Sequence, residues 1–300
     1  MTSRTRDGSA RVPRKHFRAR KKGVTETGER RRRRKTIERR RSGLLGPSRR
    51  PAEASARADW QRASTPDLAG LDEEQREALA QAWLNDGLTS HAAVASHARF
   101  TLRLLALGAP PDMVRASQRA SMDVIRHAED CFSFASAYGD RTLGPGELGD
   151  AGLIRQPTDA REAVMVAIRH GCIGDTIGAM AATVAAETCQ DEIVAKVLRR
   201  IAVDQTRHAG LAWRFVRWAT SDIDAGLRRT VDEGFERALG EHPPVDEQPA
   251  PDWMRMRGRL SRQERACLAA STLREVIRPC AEAVLATSDD VPEDDLPFGA

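Results

Sequence analysis

The chain has 300 residues, and its charge is segregated: residues 1–60 hold 21 Lys and Arg against 6 Asp and Glu, a net +15, whereas the rest holds 27 against 37, a net −10. Five cysteines, Cys131, Cys172, Cys189, Cys267 and Cys280, lack short paired spacing, which argues against a disulfide framework and fits buried thiols in a reducing compartment. No apolar stretch approaches the length of a membrane span and no apolar h-region follows the arginines, so the expected location is cytoplasmic.

Residues 1–70 read as a basic disordered arm, because "RKHFRARKK" and "ERRRRRKTIERRRSG" are too densely charged to bury. Such an arm can hold an anionic partner, nucleic acid above all, through phosphate contacts. A solvated tail, or a true start downstream of it, accounts for the same charge. The spacing then predicts a helix from about Asp72 to Leu107, ended at "GAPPD" by Gly108 and two prolines, with Asp112 placed to cap the next. A second helix reaches about Tyr138, with Ala120, Val124, Ala128, Cys131 and Ala135 along one side. The Gly/Pro-rich link "GDRTLGPGELGDAGLIRQPTD" is long enough to cross the end of a bundle. A third helix is predicted over Ala160–Glu187 and a fourth over Asp191–Ala219, where Val194, Val197, Ile201, His208, Leu211 and Phe215 share a face.

Two more helices follow, at about Asp222–Leu239 and Ser261–Leu285, separated by the proline-rich "GEHPPVDEQPAPDW". Residues 288–300 read as an acidic flexible tail. Nothing alternates with period two for long enough to make a sheet. The expected fold over residues 71–287 is therefore all-α: four long helices paired by short turns, one longer crossover, and two additional C-terminal helices, which is a four-helix bundle with ferritin-like connectivity. Assembly stays open, since such bundles occur alone and as oligomers.

An internal repeat marks the second and fourth helices. "DVIRHA" at Asp123–Ala128 and "DQTRHA" at Asp204–Ala209 share an aspartate four residues before a histidine and an arginine just before it. At that spacing Asp123 and His127, and Asp204 and His208, lie along one side of their helices.

The text from "HAAVASHARFTLRLLALGAPP" through "IRHAEDCFSFASAYG", "GCIGDTIG" and "RHAGLAWRFV" to "REVIRPCAEAVL" resembles the ferritin-like di-iron proteins, over nearly all of residues 72–287. The resemblance implies a carboxylate on each of the first and third helices and a glutamate three residues before a histidine on each of the second and fourth. His127, His208 and Asp175 match that pattern. Ser90, Val124 and Gln205 stand where three carboxylates belong, so half of the ligand set implied by the resemblance is missing, and a full di-iron centre is not expected.

Three readings remain. In one, the metal site has decayed: Asp123, Arg126, Asp204 and Arg207 form a polar network that holds buried histidines. In the second, His127, His208 and Asp175, with Gln205 as a neutral oxygen ligand, hold one iron or another divalent metal as a non-haem oxidoreductase; Cys131 and Cys172 lie near that layer. In the third, a metal-free pocket takes a small molecule and His127 or His208 carries a proton, oriented by an aspartate. Ser90, His91, His97 and Tyr138 are weaker candidates, and His170 and His242 are expected to face solvent or a loop.

Overall fold

A computed structural model of the chain describes residues 52–149, 160–221, 225–240 and 250–285. The basic sequence before residue 52, the acidic tail after 285 and His242 lie outside the described residues.

Local chemistry sets the helix limits. α1 (Glu73–Ala106) starts at a reciprocal cap, in which the Asp72 carboxylate accepts from Gln75 N–H at 2.8 Å and the Gln75 side chain accepts from Asp72 N–H at 3.2 Å. It ends just before Gly108, whose φ of +71° only glycine adopts readily. α2 (Pro111–Gly139) has proline at its first position, where the missing N–H costs nothing. Asp112, expected as its cap, instead lies inside the first turn, where its charge faces the positive end of the helix dipole. α3 runs unbroken through Ala160–Val166, the π-helical Ala167–Asp175 and Thr176–Thr188. α4 (Glu192–Thr220) is capped by Asp191, whose Oδ1 accepts from Ile193 and Val194 N–H at 3.0 and 3.1 Å.

These four helices pair as α1 with α2 and α3 with α4, and the two hairpins meet along α2 and α4. α5 (Ala225–Gly240) lies against the first part of α3. A single turn, α6 (Asp252–Arg255), interrupts the proline-rich connection. α7 (Arg262–Thr272, π-helical Leu273–Ile277, Arg278–Leu285) starts at a Ser261/Glu264 capping box and packs on α3. The chain is thus predominantly helical, and the one sheet among the described residues is a pair of two-residue strands, β1 (Ala54–Ser55) antiparallel to β2 (Gly144–Pro145). No described helix is long and apolar enough to cross a membrane.

That strand pair corrects the expected extent of the arm. Residues 52–70 are not a detached tail but lie on the bundle. Trp60 meets the His91 ring edge-on at 4.9 Å and lies 6.3 Å from Phe132. Arg62 N–H donates to Ser133 at 2.7 Å and Asp67 N–H to the Asp191 carboxylate at 2.7 Å. The high arginine content upstream masked this segment's own apolar anchors, Ala52, Trp60 and Leu68.

The core falls into two apolar clusters. One gathers Leu104, Met113, Ile168, Leu211, Phe215, Phe235 and Ile277. The other gathers Leu79, Trp83, Phe132, Phe134, Tyr138, Val194 and Leu198. Along α2 and α4 the stretches holding Asp123–His127 and Asp204–His208 come between the residues assigned to each cluster, so the polar frame occupies the level at which the apolar core divides.

Candidate functional site: a crossed Asp–His quartet beside a cavity

The two repeated frames bond to each other rather than within themselves. His127 Nε2 lies 2.9 Å from Asp204 Oδ2, and His208 Nε2 lies 3.2 Å from Asp123 Oδ2. Arg126 donates to Asp123 on its own helix at 2.8 Å and to Asp204 on the other at 2.7 Å. Arg207 mirrors it, bonded to Asp204 on its own helix and to Asp123 at 3.1 Å. Exchanging 123 with 204, 126 with 207 and 127 with 208 leaves this pattern unchanged.

Both aspartates and both histidines are buried. Burial pushes the Asp204 carboxyl up, but the hydrogen bonds and positive charges of His127 and Arg126 outweigh it and hold the group at about 2. Asp123 is also held below the usual carboxylate range: burial and the Asp204 charge raise it, and the bond from His208 and the charge of Arg207 lower it further. Ionised carboxylates only accept hydrogen bonds, so each ring carries a proton on Nε2 and turns Nδ1 the other way. His208 Nδ1 is buried and has no protein partner.

A cavity of about 280 Å³ adjoins the quartet. Its polar wall is built by Ser90 and His97 from α1, His127 from α2, His170 and Asp175 from α3, and Gln205 and His208 from α4, and Phe100, Val124 and Leu211 supply apolar surface. The α3 backbone comes close because Gly171 has no side chain: a Cβ there would overlap that of Ala212. Gly178 is likewise pressed by Gln205, whose Oε1 would lie 2.9 Å from an added Cβ. Gln205 Oε1 is buried without a hydrogen-bond partner. A second cavity, of about 480 Å³, shares Thr89, Ser90, His127, Gly178 and Gln205 with the first, so these residues form a partition. On its far side Arg259 pairs with Asp86 at 2.5 Å and lies over the Trp83 ring.

The candidates named from sequence therefore gather around one place. His127, Asp175, Gln205 and His208 all line the cavity, and Asp123, Arg126, Asp204 and Arg207 brace the two rings behind it. They are not gathered as a coordination group: among the described residues no three His, Cys, Asp or Glu side chains are placed to hold a metal ion. The donor set also does not fit a pair of ions, because Val124 presents hydrocarbon and Gln205 and Ser90 bring no charge. Cys131 and Cys172 are buried, Cys131 on the wall of the second cavity and Cys172 in the first apolar cluster, and burial raises both thiols well above the ordinary range. Tyr138 belongs to the second apolar cluster, away from the cavity.

Two contributors were undervalued. His170, expected to face solvent or a loop, lines the cavity. It precedes Asp175 by five residues, which points the two apart on an α-helix but near one side where the helix is wound with i→i+5 bonds. His97 sits seven residues after Ser90, two helical turns along the same face, and its ring meets that of His208 at 5.2 Å. That spacing was the available signal. No protein-family model, curated protein or solved structure matches the chain.

Proposed function

We propose that the chain is a ferritin-like four-helix protein whose centre serves as an ionic clamp between the two hairpins instead of a di-iron site, and that the cavity beside the clamp receives a small molecule. The observation that carries this reading is the crossed quartet. One nitrogen of each histidine is committed to an aspartate across the bundle, and the opposite nitrogen of His208 is presented, unpartnered, beside the cavity. Three further positions that the resemblance assigns to carboxylates are Ser90, Val124 and Gln205.

The test is metal analysis of the protein expressed with added iron, manganese or zinc, run beside a Val124→Glu/Gln205→Glu variant, with mass spectrometry of any retained small molecule. The expected result is no stoichiometric metal in the wild type. Two iron ions per wild-type chain would end the proposal.

The Asp123–His208 pair favours a second reading, in which the cavity is catalytic. A ring oriented by a carboxylate through one nitrogen, with the other nitrogen unpartnered beside a cavity, is the arrangement of a group that exchanges a proton with a bound molecule. In that case His208→Gln would retain ligand and lose turnover, whereas an unchanged rate would remove His208 from the chemistry.

A further inference from the structure

We infer that the outer seam between α2 and α4 binds double-stranded nucleic acid by its phosphates, through Arg115, Arg119 and Lys196. This surface is independent of the cavity and of the basic sequence before residue 52.

The internal repeat extends outward past the clamp. The shift that carries Asp123 onto Asp204 also carries Arg115, Arg119, Met122 and Arg126 of α2 onto Lys196, Arg200, Val203 and Arg207 of α4. Spacings of four, three and four keep each set on one face of its helix. That face is turned outward: Arg115, Arg119 and Lys196 are exposed, Met122 is 65% and Val203 60% exposed, and Arg126, Arg200 and Arg207 are each partly in solvent. Because His127 meets Asp204 and His208 meets Asp123, the helices run antiparallel and the two stripes lie side by side.

Every carboxylate on the two helices is already matched to another cation. Asp123 and Asp204 are shared by Arg126 and Arg207, and Asp130 bonds to Arg200. Glu129 accepts from Arg62 at 3.0 Å, Glu192 lies 3.3 Å from Arg199, and Asp112 lies 4.0 Å from Arg214. Arg115, Arg119 and Lys196 have no acidic partner among the described residues, so the seam holds a cationic surplus although the chain beyond residue 60 is net −10.

Arginine keeps its charge and presents a planar fork that matches phosphate oxygens. Eighteen residues separate Lys196 from Arg214, which is about 27 Å along the helix axis. Cations spread over that length suit a repeated anion rather than one small ion, and the length corresponds to about eight base pairs of duplex. The stripes carry no aromatic ring on which unpaired bases could stack, which favours duplex over single strand. Met122 and Val203 alone offer too little apolar surface for a membrane-inserting face or the core of a protein interface.

The test uses the full chain and a mixed-sequence DNA duplex of about twenty base pairs, long enough to cover the seam. Binding is measured by fluorescence anisotropy across a salt series for the wild type and for an Arg115→Ser/Arg119→Ser/Lys196→Ser variant. Loss of three phosphate contacts should lower the slope of log K against log salt by nearly three and weaken binding at least tenfold, with Tm unchanged. Contacts made by the basic sequence before residue 52 are common to both proteins and drop out of the difference. A second measurement needs no variant: modification of arginine and lysine side chains, read by mass spectrometry, should show Arg115, Arg119 and Lys196 protected by the duplex. An unchanged salt slope would overturn the assignment, as would protection confined to residues before 52. Protection of the three residues by phosphatidylserine vesicles but not by the duplex would overturn the choice of partner.

Discussion

Asp204 is the residue on which the quartet most depends, because it accepts from His127 and from both arginines. Replacing it with alanine strands a buried imidazole and leaves Arg126 and Arg207 with Asp123 alone. Removing one partner of a buried charged group typically costs roughly 3–5 kcal/mol; with the arginines partly exposed, about 3 kcal/mol is expected, read from the denaturation midpoint. Acid should expose the same dependence. The folded-state carboxyl, at about 2, lies below the ordinary value near 4. Its contribution, about 2 kcal/mol, is therefore fully present above about pH 4 and is lost as the pH falls through 2. Chemical denaturation across that window should show a loss in the wild type that is much smaller in Asp204→Asn. The individual residues of this network were legible in the repeat; their pairing was not. A spacing of four puts Asp123 and His127 on one side of one helix, and only the meeting of α2 and α4 makes each aspartate serve the other helix's histidine.

Among the elements, α3 has the least ordinary winding. Its π-helical stretch, Ala167–Asp175, brings His170 and Asp175 to one cavity and lays Gly171 against Ala212 of α4. Gly171→Ala would improve the helical propensity of an exposed site, but here it overpacks, and a cost of about 2 kcal/mol is expected in thermal or chemical unfolding. Adding Ala212→Gly to the same chain should recover a large part of that loss. Independent, additive costs would mean that the two positions do not press on each other. The limits of the long helices were readable to within a few residues because caps and breakers are local: Asp72 with Gln75, Gly108 before two prolines, Asp191, and Ser261 with Glu264. The change from α to π winding was not, since it answers to the contact with α4 and carries no comparable local signature.

At the scale of the whole molecule, the segment before α1 ties the hairpins together. Residues 52–71 bond to Ser133 and Ser136 on α2, to Asp191 at the start of α4, and to the link after α2 through the β1–β2 pair. Trp60→Ala removes the ring that packs on His91 and Phe132, and a loss of about 2 kcal/mol is expected because the side chain is only partly buried. A negligible change in Tm would mean that the segment rests on the bundle without stabilising it. Helical class and helix order were open to sequence reasoning because they follow from periodicity, whereas this strap is aperiodic and its few anchors are visible only against the surface they cover.

The exchange symmetry of the quartet has a further consequence. Each frame supplies one acid, one guanidinium and one imidazole, and what it asks of its partner is the same set that it offers. The motif is therefore its own complement, as a palindrome is. Chemically, two copies of the first hairpin could satisfy Asp123, Arg126 and His127 against each other as well as the second hairpin does. The clamp itself cannot distinguish the right partner from a second copy of either hairpin. That choice falls to the unequal apolar clusters on either side of it: Phe134 and Tyr138 on α2 have Trp213 and Phe215 on α4 in the opposite cluster, and the two hairpins pack as a heterologous pair around a centre that is indifferent to their order.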